Sequence, residues 1–462
     1  MKTITTDKLP PMDDTLQHMV YNGLDGMMTQ EIYRVLKPNN TYEFEKSLLP
    51  LAIDMMDKGI LIDPQKKDVI AKELETSLKK VEDNFNYICQ KVWGKTYNPR
   101  SYTQLKELLY QRLYLPEVIV SKKGEKKVST DRDTLEKLHR EYTRAMPITT
   151  PLLQMRDLSK TLDTVTKQLS PQGRWHANFN IGGTDTGRWS SSSHPYGWAS
   201  NLQNIDDFVR RMFIPDPGYI FVNCDQQGAE ARVVGYLAGD ETYIKAVESG
   251  DVHTMVASMV FGFEPKRELA DRKYYREMSY RDIAKRAAHG SNYGGTARTI
   301  AITLKVEIKV IEEFQKLYFK TFSKIKKWHS WILQEIQTKH RLVTPFGRVR
   351  NFWGNPHDDA TLRAAIAYVP QSTVGDLTAR GLLEIYGKLP EVQILNNIHD
   401  AAFCQVEQDK VALLLPQIVE CLTHPLEVTD IFGVKRQMLI PWESQTGMNW
   451  GKRKKDNPDG LS

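Results

Sequence analysis

Two aspartates end or interrupt apolar runs that should be burying surface: Asp225 closes "GYIFVNCD" (218–225), and Asp400 lies inside "QILNNIHDAAFCQV" (393–406). A buried, unpaired carboxylate is costly or takes up a proton, so each needs a cation, a hydrogen-bonded turn, or exposure at a hairpin tip. For one aspartate taken alone, an ordinary turn is the plainer explanation. If both come from neighbouring strands of one sheet, they repel strongly unless a cation intervenes or one is protonated. Mg²⁺ suits such a pair because it takes oxygen ligands, keeps waters, and combines one or two carboxylates with substrate phosphates. Two ions would clamp the attacking and leaving oxygens of a phosphoryl transfer. "RDIAKRAAHGSNYGG" (281–295) offers the opposite half of such a site, with Arg281, Lys285, His289 and Tyr293 at steps of four. On a helix these form one slowly drifting stripe, in which Arg281 and Lys285 can hold triphosphate oxygens while His289 and Tyr293 lie against sugar and base. A solvated basic helix face is the alternative.

The elements that must carry these residues follow from the patterns around them. Residues 64–169 read as mostly helical, as in "QKKDVIAKELETSLKKVEDNFNYICQKVW" and "DTLEKLHREYTRAM", broken by Gly, Pro and Lys-rich turns. "GRWHANFNIGGTDTGRWSSSSHPYGWASNLQNI" is too rich in Gly, Ser, Asn and Thr for helix and reads as extended segments and loops. "GYIFVNCD" is a β-type run, after which "AEARVVGYLAG" turns helical. Residues 241–342 are again mainly helical, a helix covers 358–388, and the hairpin holding Asp400 follows. The class is α+β, with strands gathered around the two aspartates.

The chain has 462 residues, room for roughly two to four domains of about 150 each. With 40% hydrophobic and 26% charged residues it has a globular composition, and no apolar run approaches the ~20 residues of a membrane helix. The N-terminus lacks the features of a secretory signal, which points to a cytoplasm. Cys89, Cys224, Cys404 and Cys421 are scattered, so free thiols and no zinc are expected. A net charge of +6 says less than its distribution. Between Gln315 and Arg350 there are nine Lys or Arg against one acid, Glu335, interleaved with Tyr318, Phe319, Phe322, Trp328 and Trp331. Lys316, Lys320 and Lys324 recur at helical spacing beside an apolar stripe of Tyr318, Phe322, Ile325 and Ile332, so one helix would both pack and face a polyanion. A lysine face over a core stripe is the bland alternative. "SKKGEKK" (121–127) and "GKRKK" (451–455) are smaller basic clusters, the second read as a disordered tail.

In order along the chain, these segments resemble motifs A, B and C of the family A (polymerase I-like) DNA polymerases, the bacteriophage branch especially. "DQQGAEAR" resembles motif A, with Asp225 and Glu230; "RDIAKRAAHGSNYG" resembles motif B; "IHDAAFCQV" resembles motif C. "LPLAIDMMDKGILIDP", "TDTGRWSSSS", "NLQN", "LRAAIAYVPQS" and "GMNW" fall in family order around them. The resemblance implies an α+β right-hand fold: a palm on an antiparallel sheet, helical fingers and a helical thumb. It places a remnant of an exonuclease-domain helix and linker at 1–45, palm entry at 46–62, thumb at 63–166, palm with motif A at 167–240, fingers at 241–362, palm with motif C at 363–450, and a basic tail at 451–462. It implies template-directed addition of deoxynucleotides to a primer 3′ end, with pyrophosphate release and two Mg²⁺ ions, Mn²⁺ being able to substitute.

Residue by residue, the resemblance has Asp225 and Asp400 hold the metals with help from the Gln226 carbonyl, and Lys285 and Arg281 bind phosphates. His289 and Tyr293 face the nucleotide, and Glu230 with Tyr293 closes the space beside the sugar C2′, a steric gate against ribonucleotides. Arg188 and Gln371 read the minor groove at the newest pairs, where acceptors are similarly placed for every correct pair. His399 lies near the primer terminus, Arg363 and Asn204 contact DNA, and Lys122, Lys123, Lys126 and Lys127 grip duplex backbone at the thumb tip. The partners implied are primer-template DNA and deoxynucleoside triphosphates, with a separate 3′-5′ exonuclease subunit or processivity factor as a further candidate. The chain would act as a monomer, away from membranes, in the host bacterial cytoplasm if phage-encoded.

Several positions depart from the family pattern. His289 stands where Phe or Tyr is usual, Ala401 replaces the acid after the motif C Asp, Ala367 replaces an Asn, and Gln226 replaces an aromatic or small residue. "YNGLD" (21–25) resembles the last motif of the proofreading domain, but one acid cannot bind two metals, so no built-in proofreading is expected. Two rival readings are a single-subunit RNA polymerase, against which Glu230 argues, and an inactive primer-template binding or replisome scaffold protein, suggested by Ala401, Ala367 and His289.

Overall fold

The computed structural model describes residues 13–36, 39–122 and 125–462. Its centre is a four-stranded antiparallel sheet built from β1 (Tyr219–Gln226), β2 (Gln393–Ile398), β3 (Ala401–Glu407) and β4 (Trp442–Gly447), in spatial order β2-β3-β1-β4. The near-continuous apolar content of "YIFVNC" and "AAFCQV" is that of strands covered on both faces. Phe221 on β1 and Phe403 on β3 meet with ring centroids 4.8 Å apart, and Trp450 stacks on Phe403 at 4.9 Å. All three are fully buried, so the strand that carries Asp225 is anchored by aromatic packing.

Helical units flank the sheet. On one side the long helices α1 (Pro64–Trp93) and α2 (Met146–Val165) pack together, with Phe85, Leu108, Leu135, Ile148 and Leu152 closing a core of their own. Beside them the strands Ile119–Lys122 and Glu125–Val128 pair antiparallel. On the other side α3 (Ala229–Ala238), α4 (Val252–Phe261), α5 (Tyr280–Asn292), α6 (Ile308–Thr321) and α7 (Ser323–Thr338) surround a second core, in which Tyr243, Phe314, Tyr318, Phe322 and Trp328 are completely buried. The long helix α8 (Asp359–Lys388) runs from that core to the sheet. Near the front of the chain, the helix Asp14–Val35 leaves Met19, Tyr21, Met27 and Tyr33 exposed. No helix among the described residues is long and apolar enough to cross a membrane.

Two expectations are corrected. The basic stretch after Gln315 is two helices, because Phe322 leaves helical geometry (φ −115°, ψ 64°) and buries its ring at the break. Lys324 consequently turns inward, its Nζ donating to the Gly239 carbonyl at 2.7 Å, and does not continue the Lys316–Lys320 face. The last twelve residues are an ordered return, not a disordered tail: Leu461 is buried, Asn457 Nδ2 donates to Asn449 Oδ1 at 2.9 Å, and Lys454 pairs with Asp207 at 2.7 Å.

One buried ionic group ties distant segments together. Arg348 donates from Nε and Nη2 to Asp376 on α8, at 3.2 and 2.8 Å, and from Nη1 to Glu45 at 2.5 Å. Gly187 lies so close that a Cβ there would sit 2.5 Å from the Arg348 guanidinium carbon. Arg348→Met leaves the Asp376 carboxylate buried without its bidentate partner, and about 3–5 kcal/mol of stability is expected to be lost. Denaturant unfolding of the variant checks this; an unchanged midpoint would show that the group contributes little.

Candidate active site

The hairpin β2–β3 turns through only His399 and Asp400. His399 takes a left-handed backbone (φ 57°), which is strained for a side-chain-bearing residue and is imposed by so short a connection. The tip is fastened sideways, since Gln226 N–H donates to the Asp400 carbonyl at 3.2 Å. In the β3–β1 and β1–β4 registers, Ala401, Asp225 and Glu443 lie in one row across the three strands. Asp400, in the turn one residue before Ala401, is therefore a neighbour of Asp225 at one sheet end.

Their electrostatics record the crowding. Burial first, then the Asp400 and Glu443 charges, push the Asp225 carboxyl up from its ordinary 3.8 to about 6. Asp400 is also raised, chiefly by burial, with Arg188 opposing. A carboxyl whose folded pKa is raised contributes stability that is complete below its unfolded pKa and is lost as pH rises through about 6. Asp225→Asn is accordingly expected to raise the thermal midpoint of the metal-free protein above pH 6, and, if the pair holds a divalent ion, to abolish any further rise on adding Mg²⁺. Equal Mg²⁺ shifts in both proteins would contradict a role for Asp225 in ion binding.

Immediately after β1 the chain turns at Gly228, whose φ of 60° favours glycine, and starts α3 with Glu230 in its first turn. A carboxylate there is stabilised by the helix N-terminus. Glu230 gathers three neighbours: Arg188 Nη2 donates to Oε1 at 2.5 Å, the Tyr293 hydroxyl donates to Oε2, and His289 Nδ1 lies 4.0 Å from Oε2. Arg188 is also 3.9 Å from Asp400 Oδ1. Its backbone rests against α8, where Gly375 leaves room for it, beside the Gly187–Arg348 contact. Its Nε has no hydrogen-bond partner among the described residues.

The stripe helix α5 begins with a reciprocal cap between Ser279 and Asp282 and carries Arg281, Lys285 and His289, with Tyr293 at its C-cap. Lys285 and His289 line a cavity of about 500 Å³ together with Glu230, Asp400, Arg286 and His253. Arg281 turns aside to Asp251 at 3.2 Å. His253, in the first turn of α4, has its pKa lowered to about 4 by burial and by the Lys285 and Arg281 charges. The cavity thus has a carboxylate end and a cationic end, fitted to a ligand that brings its own negative charge.

Sequence reasoning missed His253 and Glu443. The signal for the first was "GDVHT", an N-capping Asp followed by His in the first helical turn; Glu443 needed the strand register. Gln226, opposite in pleat to Asp225, is buried and donates from Nε2 to Thr378 Oγ1 at 3.2 Å. Gln371 lies half-buried on α8, Arg363 pairs with Asp359 at 3.5 Å, and Asn204 and His399 are exposed; none of these lines the cavity. Lys126 and Lys127 are on the remote hairpin, Lys127 lying 4.8 Å over the Tyr102 ring. The Lys122 side chain and Lys123 fall outside the described residues.

The sequence profile of DNA polymerase family A matches residues 66–452, a stretch that holds every element of this cavity. The chain belongs to DNA polymerase family A. It is 29% identical over 411 residues to a thermostable DNA polymerase I of Thermus thermophilus, covering 84% of this chain and 47% of that protein. To the DNA polymerase I of Rhizobium leguminosarum it is 28% identical over 461 residues, covering 93% and 43%. The chain spans about half the length of the curated relatives it matches. Its fold matches the POL domain of Pol1 from M. smegmatis, solved in complex with DNA primer-template and dNTP, with a TM-score of 0.71 at 23% identity over 88% of this chain and 70% of that one. The expected α+β polymerase fold is therefore the fold of this family A member.

Proposed function

We propose that this family A chain extends a DNA primer by template-directed addition of deoxynucleotides, releasing pyrophosphate. The observation that carries the reading is the meeting of Asp225 and Asp400 at one sheet end, with Asp400 lining the same cavity as Lys285 and His253. The neighbouring cores support palm at 46–62, 167–240 and 363–450, thumb at 63–166 and fingers at 241–362.

The donor set fits a hard divalent ion. Both carboxylates offer only oxygen, and no group of three or more His, Cys, Asp or Glu among the described residues forms a self-sufficient metal cage. A site with two carboxylates leaves the remaining positions for phosphate oxygens and water, the usual manner of Mg²⁺. Asp225 and Asp400, with the Gln226 carbonyl, would hold it, and Mn²⁺ can substitute; when bound, such ions acidify the primer hydroxyl and neutralise the departing pyrophosphate.

The chain's own residues do the rest. Lys285 places a compact charge beside the triphosphate, and His253, neutral while the cavity is empty of anion, can take up a proton as phosphate approaches. Arg281 must exchange Asp251 for phosphate to join them. Glu230, held from three sides, fills the space a ribose 2′-hydroxyl would need. Arg188, with a free Nε donor, can reach a base edge in the minor groove once it leaves Asp400.

Primer extension with matched and mismatched 3′ ends tests the proposal. Extension with deoxynucleotides in Mg²⁺ is expected, with ribonucleotides far slower, and a mismatched primer is not shortened by this chain alone. Equal use of ribonucleotides would favour the RNA polymerase reading, no extension at all would favour a scaffold, and metal-dependent shortening would refute the expectation on proofreading.

A further inference from the structure

The basic, aromatic stretch after Gln315 takes no part in the cavity described above. Lys316 and Lys320 lie one turn apart on α6, and Lys326 faces them from α7 across a cleft of about 530 Å³ that also includes Gln315, Phe319 and Glu312. Lys326 Nζ stands 4.9 Å over the Phe319 ring. Among the described residues, Lys316, Lys320, Lys326 and the adjacent Lys327 make no ion pair. Lys273, Lys339, Lys388, Lys410 and Lys435 elsewhere on the surface each have an acid within 4.0 Å. All four unpaired lysines are exposed, so their mutual repulsion is relieved only by solvent or by an outside anion. The one acid in the cleft, Glu312, does not offset them.

The cleft is joined to the nucleotide cavity. Gln315 Nε2 donates to the Gly295 carbonyl at 2.8 Å and to Ser291 Oγ at 3.2 Å. These acceptors flank Tyr293, at the end of α5 that faces Glu230. A strand passing the Tyr293 end of α5 would meet the 291–295 turn and then the cleft, which Gln315 links to that turn. Lysines at i and i+4 are about 6 Å apart along a helix, close to the spacing of neighbouring phosphates. Phe319, half-buried between them, offers a flat apolar surface. Cations along a groove with an aromatic platform are what sequence-independent binding of single strands requires.

We propose that Lys316, Lys320 and Lys326, with Phe319, bind the single-stranded template ahead of the site. The proposal rests on the polymerase reading but is measured apart from it. The experiment compares K316E/K320E/K326E with the wild type in fluorescence anisotropy, using a labelled primer-template with a template overhang of either two or twelve nucleotides, across a salt series. For the wild type, the long overhang is expected to bind roughly tenfold or more tightly, with a steeper salt dependence. In the variant this advantage disappears while affinity for the short overhang, single-nucleotide extension on it, and thermal midpoint stay within a few-fold or a few degrees of wild type. The charge-neutral K316Q/K320Q/K326Q should fall between the two. An overhang advantage that survives in the triple variant overturns the proposal and leaves an acidic protein surface as the occupant. Failure of extension on both templates by the wild type would instead overturn the polymerase reading.

Discussion

Asp225→Asn and Asp400→Asn are each expected to lower single-nucleotide incorporation by roughly 10³-fold or more, the scale of the several kcal/mol that a bound divalent ion supplies to transition-state charge. Primer-template affinity should change little, because neither side chain is positioned as a DNA contact. The reason is geometric. Asp225 is the penultimate residue of β1, with β3 on one side and β4 on the other, and the two-residue tip at His399 and Asp400 is tied to Gln226 by a backbone hydrogen bond. The two residues cannot separate along the backbone without breaking the sheet, so their proximity is built in and a cation is the natural relief of their repulsion. Asparagine keeps the shape and removes the charge, which separates ion binding from packing. Rapid-quench incorporation with each variant is the measurement. A loss below tenfold in both would mean that the pair is not the ion site.

Glu230→Ala should raise the efficiency of ribonucleotide use relative to deoxynucleotide use by on the order of 10²-fold. Glu230 is fixed from three directions, by Arg188, by the Tyr293 hydroxyl and by the first turn of α3, so its carboxylate cannot swing away from an added hydroxyl. Removing it also frees Arg188 and leaves the part-buried Tyr293 hydroxyl without its acceptor; burial first, then the Glu230 charge, holds the Tyr293 pKa well above the ordinary value. The deoxynucleotide rate should therefore fall as well, by roughly tenfold, a cost of about 1–3 kcal/mol for an unsatisfied buried group. Glu230→Gln, which keeps the volume and loses the charge, should retain most of the discrimination. The ratio of kcat/KM for a ribonucleotide and its deoxy counterpart decides it; an unchanged ratio in Glu230→Ala would remove Glu230 from sugar selection. His289, two-thirds exposed beside the same carboxylate, leaves the outer wall of this pocket more open than its inner one.

What could be read from the sequence was local. The apolar runs ending at Asp225 and flanking Asp400 gave the strands and the hairpin, and steps of four gave the α5 stripe, because period and turn length are properties of neighbouring residues. What could not be read depended on partners far along the chain. Arg348 meets Asp376 and Glu45 only after the sheet and α8 have formed, and Glu443 joins the Asp225 row only through the β1–β4 register. The closing segment looked like a solvated basic tail, yet Asn449–Asn457 bonding and Leu461 burial hold it against the sheet, contacts invisible to composition. The break at Phe322 carries no Gly or Pro; the ring leaves the helix because the core that receives it lies off the axis. Arg281 matched its expected place in the stripe but faces Asp251, a capping residue on α4 that no spacing rule connects to it.

The central claim is that Asp225 and Asp400 together hold divalent ions opposite Lys285. Electron paramagnetic resonance of Mn²⁺, titrated into the protein with primer-template and a non-reactive deoxynucleotide analogue, measures this without any turnover. The account predicts two ions bound per wild-type chain, fewer in Asp225→Asn, and a return to the level of free nucleotide and DNA in the double variant with Asp400→Asn. An unchanged stoichiometry and affinity in the double variant would contradict it.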